Sequence, residues 1–232
     1  MTIAENLAAV EARIAAACAR AGRPRADVRL LPVSKTHPAP VLREAYAAGV
    51  RWFGENKAQE AAAKAAELAD LPDLRWSFIG HLQTNKARDV AGFATEFQAL
   101  DSLRIAEALD RRLQALGRGL DVLIEVDTSG EESKFGVPPE EVPALARSLA
   151  AYPALRLRGL MTVAANTTDA AVVAACFERL AALRARLQDS LGVGLDELSM
   201  GMSGDFELAI EHGATCIRVG TAVFGAREYP PG

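Results

Sequence analysis

The stretch EFQALDSLRIAEALDRRLQALGRGLDVLIEV, from Glu96 to Val126, decides the fold. It reads as a short apolar strand at 96–100, a helix pattern over 102–116 stopped by Gly117 at the expected C-cap, and a second strand at 121–126. The same unit recurs from end to end. Strands are expected at 28–33, 52–53, 75–79, 96–100, 121–126, 157–161, 197–199 and 216–218. Helix patterns separate them at 40–48, 56–68, 86–90, 102–116, 142–151, 170–187 and 205–212, after a first helix over 3–20 ended by Gly22 and Pro24. Gly49 and Gly213 stand at two further C-caps. Eight strands with helices between them, and no run of consecutive strands, predict an α/β chain closed as a (β/α)8 TIM barrel. An open doubly wound sheet is the alternative. No GxGxxG follows the first strand, which counts against its dinucleotide-binding form. There is no linker, repeat or low-complexity stretch, so residues 1–232 are expected to form a single domain.

Half of the 232 residues are apolar, enough for a sizeable core. The net charge is -4 and no basic stripe is present, so nucleic acid is not an expected partner. Cys18, Cys176 and Cys216 have neither metal-like nor redox-like spacing and read as buried thiols in a reduced cytoplasm. The N-terminus is an amphipathic segment with Glu5, Glu11 and Arg13, so no signal peptide is expected. No apolar run is long enough for a bilayer, so no membrane partner is expected.

Barrel sites form at the C-terminal ends of the strands. The residues there are Lys35, Glu55, Asn56, His81, Gln83, Asp101, Asp127, Met161, Thr162, Met202, Ser203, Gly220 and Thr221. They contain no HxH and no His/carboxylate cluster, so a metal site is not expected. Lys35 lies in Leu30-Leu31-Pro32-Val33-Ser34-Lys35-Thr36, where an apolar run stops and a polar loop begins. In a dry mouth its charged form is disfavoured and it becomes an amine nucleophile. A lysine snorkelling at the rim is the plain alternative.

Two turns near the end bear on that choice. Met202-Ser203-Gly204-Asp205 reads as a tight turn into a helix, with backbone N–H groups free at the helix start. Gly220-Thr221 repeats the device after strand 8. Barrels hold phosphate between these two loops, although glycine and serine are also ordinary turn residues. In a closed barrel the first and last strands are neighbours, so an amine on strand 1 would face both turns. A ligand with an aldehyde at one end and a phosphate at the other fits, and pyridoxal 5'-phosphate (PLP) is such a ligand. Asp205 and Glu207 are expected to complement the helix dipole. Arg218, expected to end strand 8, either points into the mouth and donates to a ring nitrogen or makes a salt bridge at the rim. Asn56 and His81 either contact the ring or satisfy their own loops, and Lys134 reads as part of a solvated loop after strand 5.

These motifs together resemble the pyridoxal phosphate homeostasis protein family. The matching stretches are Val33-Ser34-Lys35-Thr36, Phe53-Gly54-Glu55-Asn56, the run from Trp76 through Phe78-Ile79-Gly80-His81-Leu82-Gln83-Thr84-Asn85-Lys86, Ser133-Lys134-Phe135-Gly136, Gly159-Leu160-Met161, Leu198-Ser199-Met200-Gly201-Met202-Ser203-Gly204-Asp205, and Arg218-Val219-Gly220-Thr221 with Phe224-Gly225. They cover the chain from about residue 28 to 227. The resemblance implies a barrel like the N-terminal domain of alanine racemases, with PLP held as a Schiff base on Lys35. It implies phosphate contacts from Ser203, Gly220 and Thr221 with the Met202 backbone nearby, Arg218 near the pyridine nitrogen, and Asn56, His81 and Met161 along the ring. It also implies a non-catalytic role in PLP supply and in amino-acid and keto-acid balance. One departure is Asp127, where the family usually shows Asn, which leaves that position's role open.

An amino-acid racemase is the rival reading. Racemisation needs a base on each face of the cofactor, and alanine racemases take the second, a tyrosine, from an added β domain. The tyrosines here are Tyr46 in a helix, Tyr152 at the opposite end of the barrel and Tyr229 near the C-terminus. An arginine partner also leaves the ring nitrogen largely unprotonated, a weak electron sink. A Schiff-base aldolase acting on a phosphorylated sugar is a second rival, with Asp127 and Lys134 as its acid/base relay. With no dimerising domain, a monomer is expected, its PLP open to exchange with client apo-enzymes.

Overall fold

The computed structural model describes residues 1–131, 135–192 and 194–225. Its strands are β1 (Arg29–Pro32), β2 (Trp52–Glu55), β3 (Arg75–Phe78), β4 (Glu96–Leu100), β5 (Leu120–Glu125), β6 (Leu155–Met161), β7 (Glu197–Ser199) and β8 (Cys216–Val219). They form one sheet in the order β1-β8-β7-β6-β5-β4-β3-β2, every pair parallel. The seam between β1 and β2 closes just past β1: Val33 bridges Gly54, and the Ser34 N–H donates to the Gly54 carbonyl at 2.9 Å. The sheet thus comes round on itself as the expected barrel.

The helices are α1 (Ile3–Arg20), α2 (Ala39–Ala47), α3 (Ala58–Glu67), α4 (Ala87–Phe93), α5 (Leu103–Ala115), α6 (Val142–Ser148), α7 (Ala170–Leu191), α8 (Phe206–Glu211) and α9 (Thr221–Phe224). Thr2 and Glu5 form a capping box at the start of α1, satisfying two otherwise orphaned amides. Its buried residues Ile3, Leu7, Val10, Ile14 and Ala17 recur every three or four positions and make one stripe, which packs on α8 and α9. None of the described helices is long and apolar enough to cross a membrane.

Two layers are filled differently. Between sheet and helices the packing is mainly apolar, apart from a charged cluster between β2 and α3: Phe78 stacks on Phe97 at 5.9 Å between ring centroids, and Phe53 lies 5.8 Å from Trp76. Inside the barrel it is polar. Glu96 of β4 accepts from Arg29 of β1, and Gln98 of β4 accepts from Ser199 of β7. Strands that are not neighbours in the sheet can meet only across the barrel interior. Side chains alternate along a strand, so in β4 Glu96 and Gln98 face inward while Phe97 faces the helices.

Element boundaries differ from expectation where glycine or brevity hides them. β2 runs to Glu55 although Gly54 interrupts its apolar pattern, and α3 starts at Ala58, leaving Asn56 in the loop. β8 extends one residue beyond Arg218. The four-residue α9 follows Gly220, where a turn into a helix was expected, but is too short to show a helical period of its own.

Candidate functional site

Beyond β1 the chain delivers Lys35 to the mouth between two strands. The Val33 N–H donates to Val219 at 2.9 Å on the β8 side, and Ser34 is held by Gly54 on the β2 side. Thr36 has φ 70°, a left-handed conformation unusual for any residue but glycine. A buried ionic cluster flanks this segment. Lys64 of α3 donates to the Ser34 carbonyl at 2.9 Å and to Glu55 and Glu60 at 2.7 Å each. The Ser34 hydroxyl donates to Glu55, and the Thr36 N–H to Glu60, both at 2.6 Å. Burial pushes the Glu55 carboxyl upward against the pull of Lys64. For Glu60 burial acts the same way, but the Lys64 and Thr36 hydrogen bonds outweigh it and hold the carboxyl below its ordinary value.

The two turns lie in adjacent loops. The Met202 N–H donates to Asp205 at 2.5 Å, and the Met202 carbonyl accepts from Asp205 and Phe206. The Ser203 and Gly204 amides then have no hydrogen-bond partner among the described residues, and neither do those of Gly220, Thr221 and Ala222. Gly220 lies against β1, since a Cβ there would sit 3.3 Å from the Val33 carbonyl. The strand that carries Lys35 and the second turn are therefore in contact. Converging free amides form an anion cradle. Asp205 departs from expectation: its side chain makes no cap bond to α8 and ties back its own turn. Glu207 lies in the first turn of α8, as expected for a residue complementing the dipole, and also pairs with Arg13 of α1 at 2.6 Å.

Arg218 is buried and does not make a rim salt bridge. It donates to the Ser199 hydroxyl at 2.8 Å and to the Thr162 carbonyl at 2.7 Å. Ser199 donates onward to Gln98 Oε1 at 2.6 Å, and Gln98 Nε2 donates to Glu96 at 2.8 Å. A carboxylate can only accept, so Glu96 fixes the amide orientation of Gln98. That leaves Ser199 to donate to Gln98 and accept from Arg218. Desolvation lowers the Arg218 pKa, and Glu125 at the end of β5 supplies opposing negative charge. Burial pushes Glu125 up to about 7; Arg218 pulls it down and Asp101 pushes it up. Glu125, Gln98 and Ser199 belong to this network, whereas Asp127, the acid that the sequence brings to notice after β5, does not. The signal available was polar residues at alternate strand positions, as in Glu96-x-Gln98 and Glu197-x-Ser199.

Met161 closes β6 and is buried beside Thr162. The Asn56 Oδ1 atom is buried without a partner among the described residues. At Gly80 a Cβ would meet the Asn56 carbonyl at 2.2 Å, so only glycine lets the loops after β2 and β3 touch. His81 turns toward the β4 and β5 loops: Nδ1 lies 3.0 Å from Asp101, and the ring stacks on Phe135 at 4.1 Å. With Asn56, Phe78 and Lys86 it also lines a cavity of about 240 Å³. Asp127 accepts from the Ser129 and Gly130 amides at 3.0 Å each, which uses its charge to hold its own loop. Lys134 and Tyr229 lie outside the described residues. Tyr46 bonds Asp73 on the surface, and Tyr152 precedes β6 at the other end of the barrel.

The residues present suit a phosphorylated aldehyde such as PLP: a lysine beside a cradle of free amides, an unpartnered buried amide oxygen at Asn56 and a fixed guanidinium at Arg218. Fold and site define a barrel of the alanine racemase N-terminal class, and residues 6–228 match the family model described as alanine racemase, N-terminal domain. A pyridoxal phosphate homeostasis protein of Pseudomonas aeruginosa is 53% identical over 98% of this chain and 97% of its own length. PipY of Synechococcus elongatus, solved with PLP bound, is 43% identical with a TM-score of 0.85, covering 97% of this chain and 100% of PipY. An alanine racemase of Clostridium difficile shares the fold with a TM-score of 0.76 at 18% identity, over 99% of this chain and 57% of the racemase. The chain belongs to the pyridoxal phosphate homeostasis protein family.

Proposed function

We propose that this chain binds PLP through a Schiff base on Lys35 and serves as a non-catalytic reserve that buffers and supplies the cofactor. The observation that carries the reading is the closed seam, with Lys35 following a strand in contact with the Gly220 turn. The likeness to PipY, a structure with PLP bound, supports it. Ser203, Gly220 and Thr221 bind the phosphate through turn amides, with the Met202 backbone alongside. Arg218 faces the ring nitrogen, and Asn56, His81 and Met161 line the ring. PLP supplies a reactive aldehyde and an electron-withdrawing ring when bound. Residues 1–232 act as one PLP-binding unit, a monomer in the cytoplasm, where the buried free thiols Cys18, Cys176 and Cys216 fit a reducing environment.

Two features support storage over turnover. Racemisation needs a second base opposite Lys35, and Tyr46 and Tyr152, the described tyrosines, lie away from the mouth. A guanidinium donates hydrogen bonds without giving up its proton at neutral pH, so Arg218, held between Ser199 and Thr162, leaves a ring nitrogen unprotonated. Absorbance of the protein with PLP, beside Lys35→Ala, tests the binding: a visible band in the wild type and none in the variant is expected. Exchange of the L-alanine α-proton in D2O, followed by NMR, tests the absence of catalysis. A rate no faster than that of free PLP is expected, and a large acceleration would restore the racemase reading.

A further inference from the structure

We propose that Glu55, Glu60 and Lys64 are positioning residues for Lys35: a clamp between β2 and α3, buried at Glu55 and Lys64 and half-buried at Glu60, that presets the backbone of residues 34–36 and so controls how readily the lysine amine reacts. The proposal rests on the PLP reading only for the identity of the aldehyde.

Three observations carry it. The clamp grips both flanks of Lys35: Lys64 holds the Ser34 carbonyl, Glu55 the Ser34 hydroxyl and Glu60 the Thr36 N–H. Thr36, immediately after the lysine, sits at φ 70°. A side chain with a Cβ leaves that region by itself, since the conformation is disfavoured on the order of tenfold. The Glu60 bond at 2.6 Å opposes that escape. Finally, Lys64 and Glu55 are buried charges, with side chains 8% and 0% exposed. Buried ion pairs add little net stability over apolar packing, so folding alone gives weak reason for this cluster beneath the reactive loop.

The chemistry is sensitive to such placement. The neutral Lys35 amine adds to the aldehyde carbon, a C=N bond forms, and the carbonyl oxygen leaves as water with the two amine hydrogens. The nitrogen must reach that carbon while the ligand's phosphate stays in the turns. A shifted residue 34–36 backbone costs the covalent step but not the phosphate contacts.

The test uses the full chain with two ligands. PLP reports the covalent step, as adduct fixed on Lys35 by borohydride at subsaturating ligand. Pyridoxine 5'-phosphate keeps the ring and phosphate but has an alcohol in place of the aldehyde, so it reports binding without the covalent step. Glu60→Ala is expected to lower the PLP adduct about tenfold while pyridoxine 5'-phosphate affinity stays within about twofold. Adding Thr36→Gly restores most of the adduct, because glycine holds φ 70° without the bond. Lys64→Met is expected to act like Glu60→Ala; where it fails to fold, Glu60→Ala still decides. Wild-type adduct levels in Glu60→Ala, or equal weakening of both ligands, overturn the proposal. No adduct in the wild type sinks the PLP reading itself, and that failure is told apart because it needs no variant.

Discussion

Glu125 stands near half-protonation at pH 7, because burial at the end of β5 pushes its carboxyl up to about 7 from 4.5. The sign follows from linkage. As pH rises through the window from 4.5 to about 7, the unfolded chain gives up this proton before the folded one, so stability falls. The full loss, on the order of 3 kcal/mol, is present above pH 7. Glu125→Gln lacks this loss. Urea unfolding at pH 5 and pH 8 should therefore show the variant gaining on the wild type at the higher pH, and a constant difference would contradict the assignment. Ser199 acts in the opposite direction. Ser199→Ala leaves Gln98 Oε1 and one Arg218 nitrogen unpaired inside the barrel, for a destabilisation of about 1–3 kcal/mol, readable by thermal melting. Neither residue stood out in the sequence, where a single charged or polar side chain in a strand looks like an ordinary solvent-facing position.

At the scale of elements, the loops carry the site and glycine decides how closely they approach. Gly80→Ala puts a Cβ 2.2 Å from the Asn56 carbonyl. The loops after β2 and β3 must separate, with a loss of about 1–3 kcal/mol in melting and weaker PLP binding by titration. Gly92 in α4 is the control: a Cβ there meets nothing within 4 Å, so Gly92→Ala should stabilise by about 0.5–1 kcal/mol. Strand 96–100 was legible to the residue because its apolar residues end at the polar Asp101-Ser102, and strand 197–199 falls at its expected bounds just before the Met200–Asp205 turn. β2 and α9 were not. Gly54 breaks the apolar pattern of β2, and four residues cannot display a period of 3.6.

At the scale of the molecule, the alternation of strand and helix was enough to predict the barrel, since eight such units close naturally. It could not reveal what fills the interior. The ladder from Arg29 through Glu96, Gln98 and Ser199 to Arg218 joins β1, β4, β7 and β8. Its two cross-barrel contacts, Arg29 to Glu96 and Ser199 to Gln98, join residues far apart in sequence that meet only once the barrel closes. The same holds for Lys35, whose loop is legible from Val33-Ser34-Lys35-Thr36, whereas the clamp from α3 is not. Borohydride reduction of the PLP-loaded chain, followed by digestion and mass spectrometry, should place the phosphopyridoxyl adduct on the peptide containing Lys35. An adduct spread over surface lysines, or found elsewhere with Lys35 unmodified, would contradict the account.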